Sequence, residues 1–199
     1  MTVREAVRAR RSMRSFDPAV YIGRDEILAL LDEAAQAPSA LNLQPWSFIL
    51  CMTPEDKARL RAVSFDQQKL SDASAVVVVL GRLALHEAVS EHPDQNCFPP
   101  EDAAEWGRLA SFAYDGHPER QAMEAFRSCS LFAMTFVLLA QDAGWQTAPV
   151  GGFEAEALCG EFRVPSTHIP VLLIAIGKEG TKKTLPRRRL AIAATLRDA

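Results

Sequence analysis

Ala75-Val76-Val77-Val78-Val79-Leu80, ended by Gly81, is the stretch on which the fold turns. A strand with one wet face alternates apolar and polar residues. This run has no polar position, so both of its faces must be covered. Pro170-Val171-Leu172-Leu173-Ile174-Ala175-Ile176-Gly177 has the same character, and Trp46 to Met52 reads as a further strand. Helical patterns surround them. Val3 to Arg11 forms a short helix, and Asp25 to Ala35 places Ile27, Leu28, Leu31 and Ala34-Ala35 on one side. Thr53 supplies an N-cap, Pro54 the first helical position and Glu55-Asp56 the acids of a first turn, opening a helix to about Val63. A further helix runs from Phe153 to Phe162. The longest spans about Arg120 to Ala143 and is closed by Gly144. Its middle, Leu131 to Ala140, is apolar on nearly every face, with Thr135 the only polar member. A helix apolar all round is covered on two sides, and in a chain this small the second cover is expected to be another subunit. The mixture is α+β, with helices around one small sheet.

The 199 residues read as one domain, 1–199, large enough to bury a core without staples. Net charge is 22 − 25 = −3, which disfavours nucleic acid as a partner. Met1 to Ala6 contains no apolar signal core, and Leu131 to Ala140 falls short of the roughly 20 residues of a membrane span. A cytoplasmic protein with no membrane partner is expected. Cys51, Cys97, Cys129 and Cys159 include no C-x-x-C pair and read as small hydrophobes. Residues 92–120, with His92-Pro93, Pro99-Pro100, Gly107, Gly116 and Pro118, read as a helical and loop excursion near the active site, holding a short helix at Ala103 to Phe112.

Several chemistries are absent. There is no G-x-G-x-x-G, and Leu172 and Glu179 break any phosphate-loop reading of Gly177-Lys178. No serine has glycines at both flanking second positions, which removes the nucleophile elbow. His86-Glu87 lacks a histidine at Ser90; with Glu91 and His92 it reads as a solvated charged face, and no metal is expected.

Basic residues gather at the two ends of the chain. Arg8, Arg10, Arg11 and Arg14 lie at one, Lys182, Lys183, Arg187, Arg188 and Arg189 at the other. Guanidinium forks match two phosphate oxygens at once. In Pro38-Ser39-Ala40-Leu41-Asn42-Leu43-Gln44-Pro45-Trp46, the side chains of Ser39, Asn42 and Gln44 suit one planar heteroaromatic edge. The adjacent glycines of Pro149-Val150-Gly151-Gly152-Phe153 permit close approach of backbone N–H groups to a ligand.

These segments together resemble a family. Arg10-Arg11-Ser12-Met13-Arg14-Ser15-Phe16 resembles the R-x-S-x-R/K-x-F opening of the FMN-dependent nitroreductases, and Pro38 to Trp46 is similar to their (A/S)PS-x-x-N-x-Q-P-W segment. Lys69-Leu70-Ser71-Asp72-Ala73-Ser74, Pro149 to Phe153, and Pro186-Arg187-Arg188-Arg189-Leu190 are similar to three further blocks, all in family order. The resemblance implies a small, mainly antiparallel sheet surrounded by helices and an intertwined homodimer with FMN at two interface sites. It implies that Arg10, Ser12, Arg187 and Arg189 serve the phosphate and ribityl end, and that Pro38, Ser39, Ala40 and Asn42 come from the other subunit. Arg11, Gln44 and Asp66 are further cofactor-binding candidates, and Arg188 is expected to face away from the phosphate if its segment is extended, since alternate side chains face opposite sides. Arg14 and Lys69 would lie towards the pyrimidine ring, and Val150, Gly151 and Gly152 would offer backbone near N5. Asp66 stands where the family often has an amide, and Gly151 where some members have Glu.

The implied activity is an NAD(P)H oxidoreductase that passes hydride through FMN to nitroaromatic or quinone-type acceptors by ping-pong turnover. FMN and NADH or NADPH are the cofactors, and no protein side chain is a required nucleophile. Alternatives are a same-fold flavoenzyme for an unsaturated carbonyl compound or an aldehyde, and a flavin-binding module without turnover.

Overall fold

A computed structural model describes residues 1–84, 87, 100–182, 184 and 188–197. Four strands, β1 (Trp46–Cys51), β2 (Ala75–Arg82), β3 (Gln146–Val150) and β4 (His168–Gly177), form one sheet in the order β1-β2-β4-β3. Every adjacent pair is antiparallel. The valine run occupies the centre, with Val77 opposite Ile174 and Leu50. Residues Ala75 to Val79 are 0% exposed, as a strand covered on both faces requires.

Seven α-helices lie among the described residues: α1 (Val3–Ala9), α2 (Arg24–Ala34), α3 (Pro54–Ala62), α4 (Gln68–Asp72), α5 (Pro100–Tyr114), α6 (Pro118–Asp142) and α7 (Ala155–Glu161). The two-residue period of β2 divides them. Val77 and Val79 face a cluster built on Phe132, Phe136 and Val137 of α6 and Ile27 and Leu31 of α2. Val76, Val78 and Leu80 face the opposite cluster, with Leu60, Leu70, Leu158, Met13 and Phe16. Gly81 marks the closest approach of α6 to the sheet, because a Cβ there would lie 2.8 Å from the Ala125 Cβ.

Several expectations are revised. β3 is a strand that the sequence conceals, for Gln-Thr-Ala-Pro-Val has no β-branched run and contains a proline. It lies at the sheet edge, where the missing N–H of Pro149 costs nothing. The helix in the 92–120 region is longer than expected, Pro100–Tyr114, while residues 92–99 and the histidines 86 and 92 lie outside the described residues. α1 ends at Ala9 and α7 begins at Ala155, two residues inside the expected limits. α6 is long and apolar enough, by length and composition, to cross a membrane. Here it lies on the sheet with one buried face, while Leu131 and Met134 stay 49% and 43% exposed. Cys51 and Cys129 are buried, and burial pushes both thiols up to about 12.

The N-terminal strap, residues 12–16, binds across the sheet's β3 end. Ser12 bridges Thr147 in parallel and Phe16 bridges Glu179. Gly180 is obligatory at this crossing: a Cβ would sit 2.6 Å from the carbonyl oxygen of Phe16, and backbone cannot yield as a side chain tip can. Gly180→Ala is therefore expected to cost about 1–3 kcal/mol, as overpacking does. Urea unfolding measures this, and an unchanged midpoint would show the strap to be free to shift.

Candidate active site

The strap alternates. Met13, Ser15 and Phe16 are buried, so Ser12 and Arg14 face outward. Its inner side is stitched down by hydrogen bonds. Met13 N–H donates to Thr147 O at 3.0 Å and Gly180 N–H to Ser15 O at 3.1 Å, and Lys182 N–H donates to Ser15 Oγ at 3.0 Å. The two ends of the chain are thereby held side by side.

A cavity of about 360 Å³ opens where they meet. Arg8, Arg10, Arg11, Ser12 and Arg189 line it, with Val7 and Met134 as its apolar wall. Arg189 reaches this cavity and Arg188 is not part of its lining, the alternation expected of an extended segment. Arg187 lies outside the described residues. Arg11 has a different task from its neighbours. Its Nη1 donates to the carbonyl oxygens of Arg8 at 2.6 Å and Arg10 at 2.9 Å, capping the C-terminal end of α1. The Arg10 side chain donates to Ser12 Oγ at 3.5 Å, and Arg8, Arg10 and Arg189 have no acidic partner among the described residues.

A second cavity, of about 540 Å³, places Arg14 of the strap together with Lys69 of α4 and Lys182. Asp17, Asp72 and Glu179 line the same cavity, so three carboxylates share it with the three cations. Asp17 accepts from Ala19 N–H, Asp72 from Gln68 Nε2 and Glu179 from Thr184 N–H. Lys69 is half-buried, and burial draws its pKa below the ordinary lysine range. Three cations thus share one cavity without an ion pair among the described residues.

Gly151 and Gly152 follow β3. A Cβ at Gly151 would meet nothing within 4 Å, so nothing inside the chain calls for glycine there. A Cβ at Gly152 would touch the Gln67 amide and the Phe65 ring at 3.5 Å each. Gln67, which the sequence did not single out, donates from Nε2 to Gly152 O at 2.8 Å. Asp66 turns the other way and pairs with Arg61, Oδ1 to Nε at 2.6 Å.

The Pro38–Gln44 segment is a strained turn, with left-handed φ at Leu41, Asn42 and Gln44. It is held by its own polar groups: Ser39 Oγ accepts from Gln44 N–H at 2.9 Å, and Gln44 Nε2 donates to Asn42 O at 3.3 Å. Asn42 is exposed, and Ser39 and Ala40 are half-buried. None of Pro38, Ser39, Ala40, Asn42 or Gln44 lines either cavity. The structure therefore joins Arg10, Ser12 and Arg189, and separately Arg14 and Lys69, but leaves this turn apart.

The two ends of the chain thus place arginines from both around one cavity, and a second cavity beside the strap combines Arg14, Lys69 and Lys182 with three carboxylates. The nitroreductase family pattern matches residues 7–178, and the chain belongs to the nitroreductase family. It is 34% identical over 179 residues to YodC of Bacillus subtilis, which is named with the NAD(P)H nitroreductases; 87% of this chain and 88% of that one are covered. It is 32% identical to the CLA biosynthesis enone reductase of Lactiplantibacillus plantarum, covering 85% of this chain and 82% of the other. A crystal structure from Exiguobacterium sibiricum, in complex with FMN, superposes with a TM-score of 0.86 at 28% identity, covering 98% and 96% of the two chains.

The different employment of the two neighbouring arginines has a measurable consequence. Arg11→Ala removes a cation from a helix C-terminus and is expected to cost about 0.3–1 kcal/mol of stability. Arg10→Ala should leave stability within about 0.5 kcal/mol, as surface changes do. Equal losses in urea unfolding would contradict the division of roles.

Proposed function

We propose that this protein is an FMN-dependent NAD(P)H oxidoreductase, reducing nitroaromatic or quinone-type acceptors by ping-pong turnover. The observation that carries the reading is the pair of cavities beside one strap, Ser12 lining the first with Arg10 and Arg189, and Arg14 lining the second with Lys69. FMN is a molecule with a dianionic phosphate at one end and an electron-accepting ring at the other, and the residues present fit both ends. Arg10, Ser12 and Arg189 would hold the phosphate, since a charge near −2 in a partly buried site calls for more than one cation. Arg187 is assigned the same task by its place in the sequence, and Arg11 keeps its helix cap.

Bound FMN supplies the chemistry of accepting a hydride and returning it. The chain's residues bind and tune. Lys69 and Arg14, neither of them ion-paired among the described residues, would favour negative charge on the pyrimidine side; one cation at ~4 Å and an effective dielectric near 20 contributes on the order of 4 kcal/mol before desolvation is subtracted. The Gly151 N–H is the donor assigned to N5, in a position where no side chain intrudes.

The rest of the ring's surroundings come from a second copy. Pro38, Ser39, Ala40 and Asn42 line neither cavity of their own chain, which supports their service to a partner's site. Leu131, Met134 and Phe126 of α6 expose 43–49% of their area, a face that a homodimer would cover. The exposed Leu190, Ile192 and Leu196 near the C-terminus support an intertwined arrangement. The likeness to an enone reductase favours a second reading, in which the acceptor is an unsaturated carbonyl compound. A cytoplasmic location accords with either chemistry.

The purified protein should be yellow, and under nitrogen NADH or NADPH should bleach it; colour should return with a nitroaromatic, a quinone or an enone, whichever is the acceptor. Failure of the protein to bind FMN would overturn the proposal. Lys69→Met should retain FMN and lower its midpoint potential; an unchanged potential would remove Lys69 from the ring. Sedimentation equilibrium should show a dimer, and a flavin-loaded monomer would refute the shared site.

A further inference from the structure

We infer that Gln67 is a positioning residue, whose side-chain amide fixes the Gly151–Gly152 backbone in the conformation that presents its N–H groups to the ring; this rests on the flavin reading above. Two adjacent glycines are the most permissive pair a chain can contain. On one side they are fixed by β3, where Val150 pairs with Leu173. On the other they are fixed by Gln67 Nε2, 2.8 Å from Gly152 O, and by Glu154 N–H, 2.9 Å from Val63 O. Between these points the backbone is open at Gly151, where a Cβ would meet nothing within 4 Å among the described residues.

The amide's orientation is itself determined. Gln67 Nε2 also donates to Ser64 O at 3.0 Å, so both amide hydrogens meet carbonyl oxygens. Turning the amide over would set Oε1 against two acceptors and forfeit both bonds. The segment that presents Gln67 is strained to do so. Phe65 and Asp66 both adopt left-handed φ, near 52° and 53°, and two non-glycine residues in succession there carry a cost that local packing must offset. That turn is secured by Asp66 N–H on Arg61 O at 3.2 Å and Gln67 N–H on Ser64 O at 3.3 Å. Gln67 also immediately precedes α4, the helix that carries Lys69. One short segment therefore sets both the cation and the backbone donor that the proposed function assigns to the ring.

Gln67→Glu keeps the shape and replaces the donor by a carboxylate facing two carbonyl oxygens; Gln67→Met removes the polar group with little change of length and serves where the first variant folds poorly. In the FMN-free protein, amide hydrogen exchange over residues 150–154 should quicken about tenfold while β2 amides are unchanged. In the FMN-loaded protein, FMN affinity should stay within about threefold, because the phosphate cations are untouched. The midpoint potential should fall, and reduction by saturating NAD(P)H should slow about tenfold. Unchanged exchange at 150–154 overturns the inference. Faster exchange with an unaltered potential and reduction rate also overturns it, since Gln67 would then be only a tie between loops. If the parent protein binds no FMN, the flavin reading fails by itself, while the exchange measurement still decides whether Gln67 restrains the glycines.

Discussion

Coverage of β2 on both faces is the constraint from which the rest of the structure follows. Fully burying each valine is worth about 1.5–3 kcal/mol, and the run achieves this only if each face receives its own layer. α6 and α2 supply one layer, and α3, α4, α7 and the strap supply the other. The second layer is assembled from short pieces. Leu60, Leu70 and Leu158 anchor α3, α4 and α7, and Met13 and Phe16 both anchor the strap. Arg14 beside Met13 and Lys69 beside Leu70 are thereby mounted on the underside of the core.

The strap turns this packing into a charge arrangement. Phe16 is 2% exposed and Met13 is 6% exposed, so their burial fixes the register of the residues between and beside them. Alternation then places Ser12 and Arg14 on the outer side. The crossing with 179–182 brings the C-terminal basic segment to the same place, although nearly the whole chain separates the two in sequence. In a protein of net charge −3, Arg8, Arg10, Arg11 and Arg189 line one cavity without an acidic residue in its lining. The second cavity sets Arg14, Lys69 and Lys182 beside Asp17, Asp72 and Glu179.

Backbone conformation completes what charge begins. Left-handed residues cluster at two turns, 41–44 and 65–66, and both adjoin segments that the family resemblance assigns to the flavin. Both turns are stabilised by hydrogen bonds from their own polar side chains, Ser39 in the first and Gln67 in the second. Strain of this kind persists only where the surroundings determine the conformation.

Much of the fold was legible in the sequence. The valine run, the Pro170–Gly177 strand, the Thr53-Pro54 helix start and the long apolar helix all carry their periodicity locally, since burial on a strand or helix face repeats every two or about 3.6 residues. Arg10, Arg14, Lys69 and Arg189 stood out in the sequence by residue type and family order, and the structure places Arg10 with Arg189 and Arg14 with Lys69. β3 was not, because an edge strand tolerates a proline and is specified by the partner it pairs with. Nor was the split between Arg10 and Arg11. Both are arginines in one basic run, and only the ending of α1 at Ala9 decides that Arg11 turns back onto three carbonyl oxygens. Gln67 and Asp66 were likewise indistinguishable as candidates until the turn at 65–66 directed one towards Gly152 and the other towards Arg61. Residue type and spacing determined which chemistry the chain could offer; the tertiary fold alone determined which side chains share a cavity, because that depends on contacts between segments far apart in sequence.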